Sequence, residues 1–331
     1  MKNIVRWSWI FLLLAAACGP AATQVAPESS QTETFRIAVV MPSPTNDLAF
    51  SQSMFDAVNS VAAARGNVEV AFSENMFVVD DAAAAIRDYA SEGFDLVIAH
   101  GSQYGSSLQE IAPDFPETSF AWGTTVDTFG LDNIYAYEAR SEEGGYVNGV
   151  IAAALSQTGV IGVVGPIETG DAKLYVDGFA VGAASFNPDV AVNVNWIGSF
   201  SDVALASEAA QTHINAGADV LSGTAQMVVG AIGVAEENGI PWFGTQSNQA
   251  SLAPDIVVAS QVYNWTNVLN QMIDNILAGE LGGESFEITL ANGGLQIEFN
   301  PDYVVPQATM DLVESTISGI SDGSIVIDLG G

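Results

Sequence analysis

From residue 35 onward, short apolar runs alternate with helical stretches, and this alternation constrains the fold more than any other feature of the chain. "FRIAVVM" precedes a helical stretch over 51–64, and "VEVAFS" precedes another over 80–91. "DLVIAHG" and "SFAWGTT" follow with "SSLQEIAPDF" between them, and "IYAYEA" closes this first series. Runs of four to seven β-branched or aromatic residues between helices predict a parallel sheet covered on both faces. A helix over 141–156 then leads to a second series. It holds "GVIGVVGP", "VAVNVNWIG", "ADVLSG", "PWFGTQ" and "DIVVASQVY", with helices over 173–185, 203–216, 228–238 and 265–278. "ESFEITLANGGLQIEF" reads as a β-hairpin turning at "ANGG". One more helix and the strand "SIVIDL" end the chain.

The fold class is therefore α/β, with two doubly wound lobes and a central cleft. The first lobe spans approximately 35–150 plus a return segment near 262–290, and the second approximately 158–260 plus the C-terminal part. Ligands of open α/β sheets bind outside the carboxyl ends of the strands. The loops that matter are thus 42–52, 75–79, 100–106, 122–128, 166–173, 199–203, 223–228, 244–250 and 262–266.

Signatures of catalysis are missing from those loops. His100 and His213 are the two histidines, and Cys18 is the single cysteine, so the sequence offers no zinc constellation. "GSQYG" around His100 is not a nucleophile elbow, and neither GxGxxG nor a phosphate-binding GxxxxGK[ST] occurs. Close pairs of carboxylates mean little where 39 acids are scattered along the chain. No cofactor, metal site or enzymatic activity is expected. What the loops do hold is aromatic rings (Phe50, Phe55, Tyr104, Trp122, Tyr263, Trp265) and polar side chains (Asn46, Asp47, Gln52, Gln103, Thr124, Gln226, Gln246, Asn248). Rings that stack and amides that read an edge suit a planar, polar, largely uncharged small molecule. Lys and Arg are nearly absent from the same loops, which disfavours a phosphorylated ligand.

The N-terminus reads as an export signal. Lys2 and Arg6 precede the apolar "WIFLLLAAA", which ends at Cys18 and "GP". Residues 1–18 are expected to be a lipoprotein signal ending at an acylated Cys18, and 19–34 a flexible tether of Ala, Pro, Ser, Thr and Gln. Without the leader, five basic residues face 39 acids, a net charge of −34. Such a chain repels phosphate backbones, so nucleic acid is excluded as a partner.

Three segments resemble one known family. "NDLAFSQSMFDAV" is similar to a family pattern of an Asp, then Ser-Phe-Asn-Gln, then an aromatic. "GYVNGVIAAALSQTGVIGVVG" is similar to its lobe-crossing helix and next strand, and "ADVLSGTAQMVVGAIGVAEENGIPWFGTQSNQ" to its downstream block. Their order and spacing, over residues 35 to about 300, resemble the basic membrane protein family and its PnrA-like lipoproteins. The resemblance implies a type I periplasmic-binding fold. It also implies an exported, lipid-anchored component of an ABC importer that closes on a nucleoside and delivers it to permease and ATPase subunits. It puts Asp47, Phe50, Ser51 and Gln52 at the cleft, with Phe55 as the ring that stacks on the base and Asp47 on ribose hydroxyls. Asp47→Ala and Phe55→Ala are then expected to weaken binding with the fold intact. The chain departs from the pattern at Thr124, where an acid is usual, at "GTQSNQ" in place of "GVDSDQ" (Gln246, Asn248), and at Tyr263 in place of a lysine. A flavin, a sugar-like ligand, or a sensor rather than a transport role stays open.

Overall fold

The computed structural model describes residues 34–330. Five strands build the first sheet from its N-terminal side: β1 (Phe35–Val40), β2 (Val68–Ser73), β3 (Leu96–His100), β4 (Ser119–Gly123) and β5 (Ile134–Ala139). Helices α1 (Phe50–Arg65), α2 (Val79–Ser91) and α3 (Gly105–Ile111) lie in the connections. Helix α4 (Ser141–Leu155) leads to β6 (Val160–Gly165), β7 (Ala191–Trp196), β8 (Val220–Gly223), β9 (Trp242–Gln246) and β10 (Val257–Tyr263). Between these run α5 (Gly170–Phe186), α6 (Val203–Asn215) and α7 (Val228–Asn238). The chain finishes with α8 (Thr266–Leu277), β11 (Ser285–Ile288), β12 (Leu295–Phe299) and α9 (Gln307–Ser321).

Two six-stranded sheets result, ordered β11-β5-β4-β3-β1-β2 and β12-β10-β9-β8-β6-β7. All the pairings are parallel except β10 with β12. Alternation along each strand assigns its side chains to opposite faces. In β1, Ile37 and Val39 join the core under α1 and α8, while Ala38 and Val40 join the core under α2 and α3. Strands buried on both faces read as continuous apolar runs, which is why the parallel sheet was legible beforehand.

Helix α4 packs on α5 at backbone distance. A Cβ on Gly145 or Gly149 would stand 2.3 and 2.0 Å from the carbonyls of Tyr175 and Phe179, and one on Gly178 or Gly182 2.3 and 2.1 Å from those of Glu142 and Tyr146. Glycines four residues apart on both helices remove the side chains that would hold them apart.

Two expectations from the end of the chain fail. The segments on either side of "ANGG" do not form a hairpin: β11 pairs with β5 in the first sheet and β12 with β10 in the second. The turn signal is real, but each strand fills the open edge of a different sheet, so residues 289–294 cross between lobes. "SIVIDL" is not a strand either. Val326 is 82% exposed, and Ile325 folds back against Gly319 of α9. Among the described residues no helix is long and apolar enough to cross a membrane, and Cys18 with the expected leader and tether lies outside them.

Candidate functional site

The carboxyl ends of both sheets face one another across a cleft lined by Pro42, Phe50, Gly101, Ser102, Gln103, Thr124, Thr169, Asp171, Ala172, Phe200, Ala225, Gln226 and Gln246. It encloses about 30 Å³, room for a water molecule or two. The lobes are drawn together across it. Thr124 Oγ1 donates to Asp171 Oδ1 (2.8 Å), Gln226 Nε2 to Ser43 Oγ (3.2 Å), Ser247 Oγ to the Ala49 carbonyl (2.8 Å) and Gln249 Nε2 to the Leu48 carbonyl (3.3 Å). A ligand of a dozen or more atoms therefore enters only when the lobes separate. Leu48, Ala225 and Gln246 around the cleft hold positive φ angles of 52°, 74° and 70°, conformations that cost energy in residues other than glycine and gather at functional sites.

Phe50 opens α1 and presents its ring to this cavity from the first lobe. Behind it His100 stacks in parallel, with centroids 3.8 Å apart and planes 7° from coplanar. His100 Nε2 lies 3.1 Å from the Phe50 carbonyl and Nδ1 2.8 Å from the Tyr137 hydroxyl. The carbonyl can only accept, so Nε2 carries the proton and Nδ1 accepts from Tyr137. Burial lowers the His100 pKa to about 3, which keeps the imidazole neutral. It is a platform for Phe50, with both nitrogens occupied.

Asp47 serves the start of α1 instead of the cleft. Its Oδ1 accepts from the backbone N–H of Ala49 (2.9 Å) and Gln52 (3.0 Å), and its Oδ2 from Ser51 N–H (3.1 Å) and Ser43 Oγ (2.5 Å). Four donors fill a carboxylate's acceptor positions, so the ribose contact expected of Asp47 has no free oxygen to make it. We predict that Asp47→Ala lowers stability by about 1–2 kcal/mol, the usual loss for a helix cap, as measured by urea denaturation; native stability would contradict the capping role.

The other expected residues divide by location. Gln103, Thr124, Gln226 and Gln246 line the cavity with Phe50. Gln52, Asn248 and Tyr263 line a separate groove of about 350 Å³ on the far side of Gln246. There the side-chain Oε1 of Gln52 accepts from Leu48 N–H and Asn248 Nδ2 donates to Glu298. Tyr104, Trp122 and Trp265 are core residues. Tyr104 donates to the Met76 carbonyl, Trp122 stacks on Phe129 at 4.8 Å, and Trp265 donates to Ser53 Oγ. Asn46 is exposed. Phe55, the ring expected to stack on a ligand, packs against Phe72 of β2 at 4.9 Å, outside the cavity lining.

Of the cavity residues that the sequence reading did not single out, two bear most on ligand chemistry. Phe200 brings a second ring from the second lobe; it lay in a loop already marked and could have been counted with the other aromatics. Asp171 is 7% exposed and accepts from Thr124 Oγ1, from Gln246 Nε2 at 3.0 Å and from the Tyr263 hydroxyl at 2.9 Å. Burial raises the Tyr263 hydroxyl well above its ordinary pKa, with the Asp171 charge adding to it, so that hydroxyl keeps its proton and donates.

Comparison with known proteins agrees with this architecture. A purine-binding protein of Brucella abortus is 29% identical over 294 residues, covering 88% of this chain and 83% of its own. The transcriptional activator protein med of Bacillus subtilis is 26% identical over 302 residues, covering 90% of this chain and 91% of its own. A solute-binding protein of an ABC transporter system from Aeropyrum pernix superposes with a TM-score of 0.77 at 19% identity, over 89% of this chain and 93% of its own, a likeness of fold. The family model described as "ABC transporter substrate-binding protein PnrA-like" matches residues 34–329, nearly every residue placed in the two lobes. This chain belongs to that family of substrate-binding proteins, which are binding components and not enzymes.

Proposed function

We propose that the protein captures a nucleoside-like molecule between its lobes and delivers it to the permease and ATPase of an ABC importer, held on the extracytoplasmic side of the membrane by a lipid on Cys18. The observation that carries this reading is the pair of rings, Phe50 and Phe200, brought from opposite lobes to one cavity with the amides of Gln103, Gln226 and Gln246. Two rings can take a flat base between them only when both lobes close on it, and this couples binding to closure. The similarity to a purine-binding protein supports the same class of ligand. None of the lining residues is Lys or Arg, so a phosphate would enter without a charge partner and lose its hydration.

Calorimetry with adenosine and adenosine monophosphate tests the reading. Adenosine is expected to bind and the monophosphate to fail. Phe200→Ala is expected to weaken adenosine about 10- to 100-fold, the range for losing one stacked ring, while Phe50→Ala also strips His100 of its partner. Equal binding of both compounds, or native affinity in Phe200→Ala, would remove the stacking cleft from consideration. A sensor role is the second reading, favoured by the similarity to the Bacillus subtilis activator over nine-tenths of the chain. Co-purification of the lipid-anchored protein with a permease and an ATPase separates transport from sensing.

A further inference from the structure

Asp171 is the second residue of α5 and the one carboxylate in the cavity lining. Its three donors come from three places: Thr124 from the end of β4, Gln246 from the end of β9 and Tyr263 from the end of β10. Carboxylates at 124 and 246 would repel Asp171 at these distances, whereas neutral donors hold it in place. Gly170 makes the approach possible. Its φ is 51°, and a Cβ there would stand 2.8 Å from Thr124 Oγ1. Among the described residues no cation pairs with the carboxylate, and Lys173, two residues away, pairs with Asp177 instead.

The second observation concerns Gln246, which is 2% exposed. A carboxylate only accepts, so the Gln246 atom that faces Asp171 is the amide nitrogen, and the carbonyl oxygen points elsewhere. Among the described residues nothing donates to that Oε1, although it is buried and its side chain lines the cavity. An unpaired acceptor buried in this way is costly to leave unsatisfied. Beside it, Asp171 has accepted three hydrogen bonds where a carboxylate can take about four. The cavity thus offers two adjacent acceptors in need of donors.

We propose that Asp171 and Gln246 Oε1 together form a donor-reading subsite, which selects ligands that present N–H or O–H groups and rejects isosteres that present an acceptor there. This rests on the nucleoside reading and narrows it to nucleosides with a donor at the contacted edge, whether an exocyclic amine or the ribose diol. Asp171 is the specificity-determining residue, and Thr124 and Tyr263 position it.

Matched pairs test the subsite by calorimetry on the native protein and on Asp171→Asn and Gln246→Met. Adenosine against purine riboside, which lacks the exocyclic amine and adds no other donor, reads the base amine, and adenosine against 2′,3′-dideoxyadenosine reads the ribose hydroxyls. The native protein is expected to favour the donor-bearing member of one pair by about 10-fold or more, since a site built to pair a donor rejects its absence strongly. Asp171→Asn is expected to bring that ratio to within about twofold, and Gln246→Met to lower it while keeping the Asp171 charge. Because Gln246→Met removes one of three donors to Asp171, it keeps the test valid should Asp171→Asn fold poorly. Native discrimination between neither pair, or the native ratio retained in a folded variant, would overturn the subsite. If no nucleoside binds the native protein, the nucleoside reading falls and takes the subsite with it, a result recognisable because the discrimination ratio is never reached.

Discussion

Trp265→Ala is expected to destabilise the protein by about 3–5 kcal/mol, the range for deleting a large buried ring. Trp265 is fully buried where the chain leaves β10 and starts α8. Its edge-on neighbours are Tyr137 at 5.1 Å, Tyr263 at 5.5 Å and His100 at 6.3 Å, and its indole N–H reaches Ser53 Oγ of α1 at 3.1 Å. Truncation leaves a cavity under the ring pair that supports Phe50 and removes the donor to Ser53 Oγ, which keeps only its own bond to the Phe50 carbonyl. Urea denaturation with intrinsic fluorescence of the remaining tryptophans reads the loss. Native stability together with lost ligand affinity would return Trp265 to the cleft, where its position in the sequence had suggested it.

Glu138→Gln is expected to stabilise the protein at neutral and alkaline pH. Glu138 is the penultimate residue of β5, is 8% exposed, and accepts from Ala139 N–H at 2.9 Å. Burial raises its carboxyl pKa to about 9, and the nearby Asp171 charge adds to the effect. Between roughly pH 4.5 and 9 the unfolded chain has released this proton while the folded chain keeps it, so stability falls as pH rises, by about 1.4 kcal/mol per unit. Above pH 9 both states are ionised and the loss levels off. The amide variant removes this slope and is expected to gain about 3 kcal/mol at pH 7, measured as the difference between denaturation midpoints across pH 5–9. His100 acts from the other side. Its pKa is lowered to about 3, so the unfolded chain gains a proton below about pH 6.5 that the folded chain refuses, and stability is lost as pH falls toward 3. Parallel pH profiles for the native protein and Glu138→Gln would contradict a protonated Glu138.

Periodicity alone carried the architecture. The runs at 35–41, 95–101 and 160–166 are apolar on both faces because their strands are buried on both faces, and that requirement is written in consecutive residues. Strand ends, and hence the loops that surround the cleft, followed directly. The α4–α5 contact is also visible in retrospect as glycines at 145, 149, 178 and 182. Local signals failed where a choice of partner mattered. "ANGG" specifies a reversal of the chain, but which sheet edge receives the next strand depends on residues far away in sequence.

Within the loops the sequence reading gave the stacking role to Phe55, although Phe50 follows the same polar cluster and nothing local separates the two rings. On a helix they stand five residues apart and point about 140° away from each other. The packing of α1 turned Phe50 to the cavity and Phe55 to Phe72. Asp47 and Asp171 differ in the same way: among 39 acids, composition cannot say which carboxylate caps a helix and which meets donors from three separate strands. The sequence by itself determined two doubly wound lobes and a cleft without basic residues, because burial and charge are properties of each segment. Only the tertiary structure decided that Phe200 faces the cavity alongside Phe50 and that Asp171 gathers Thr124, Gln246 and Tyr263, because those meetings join residues up to 150 positions apart.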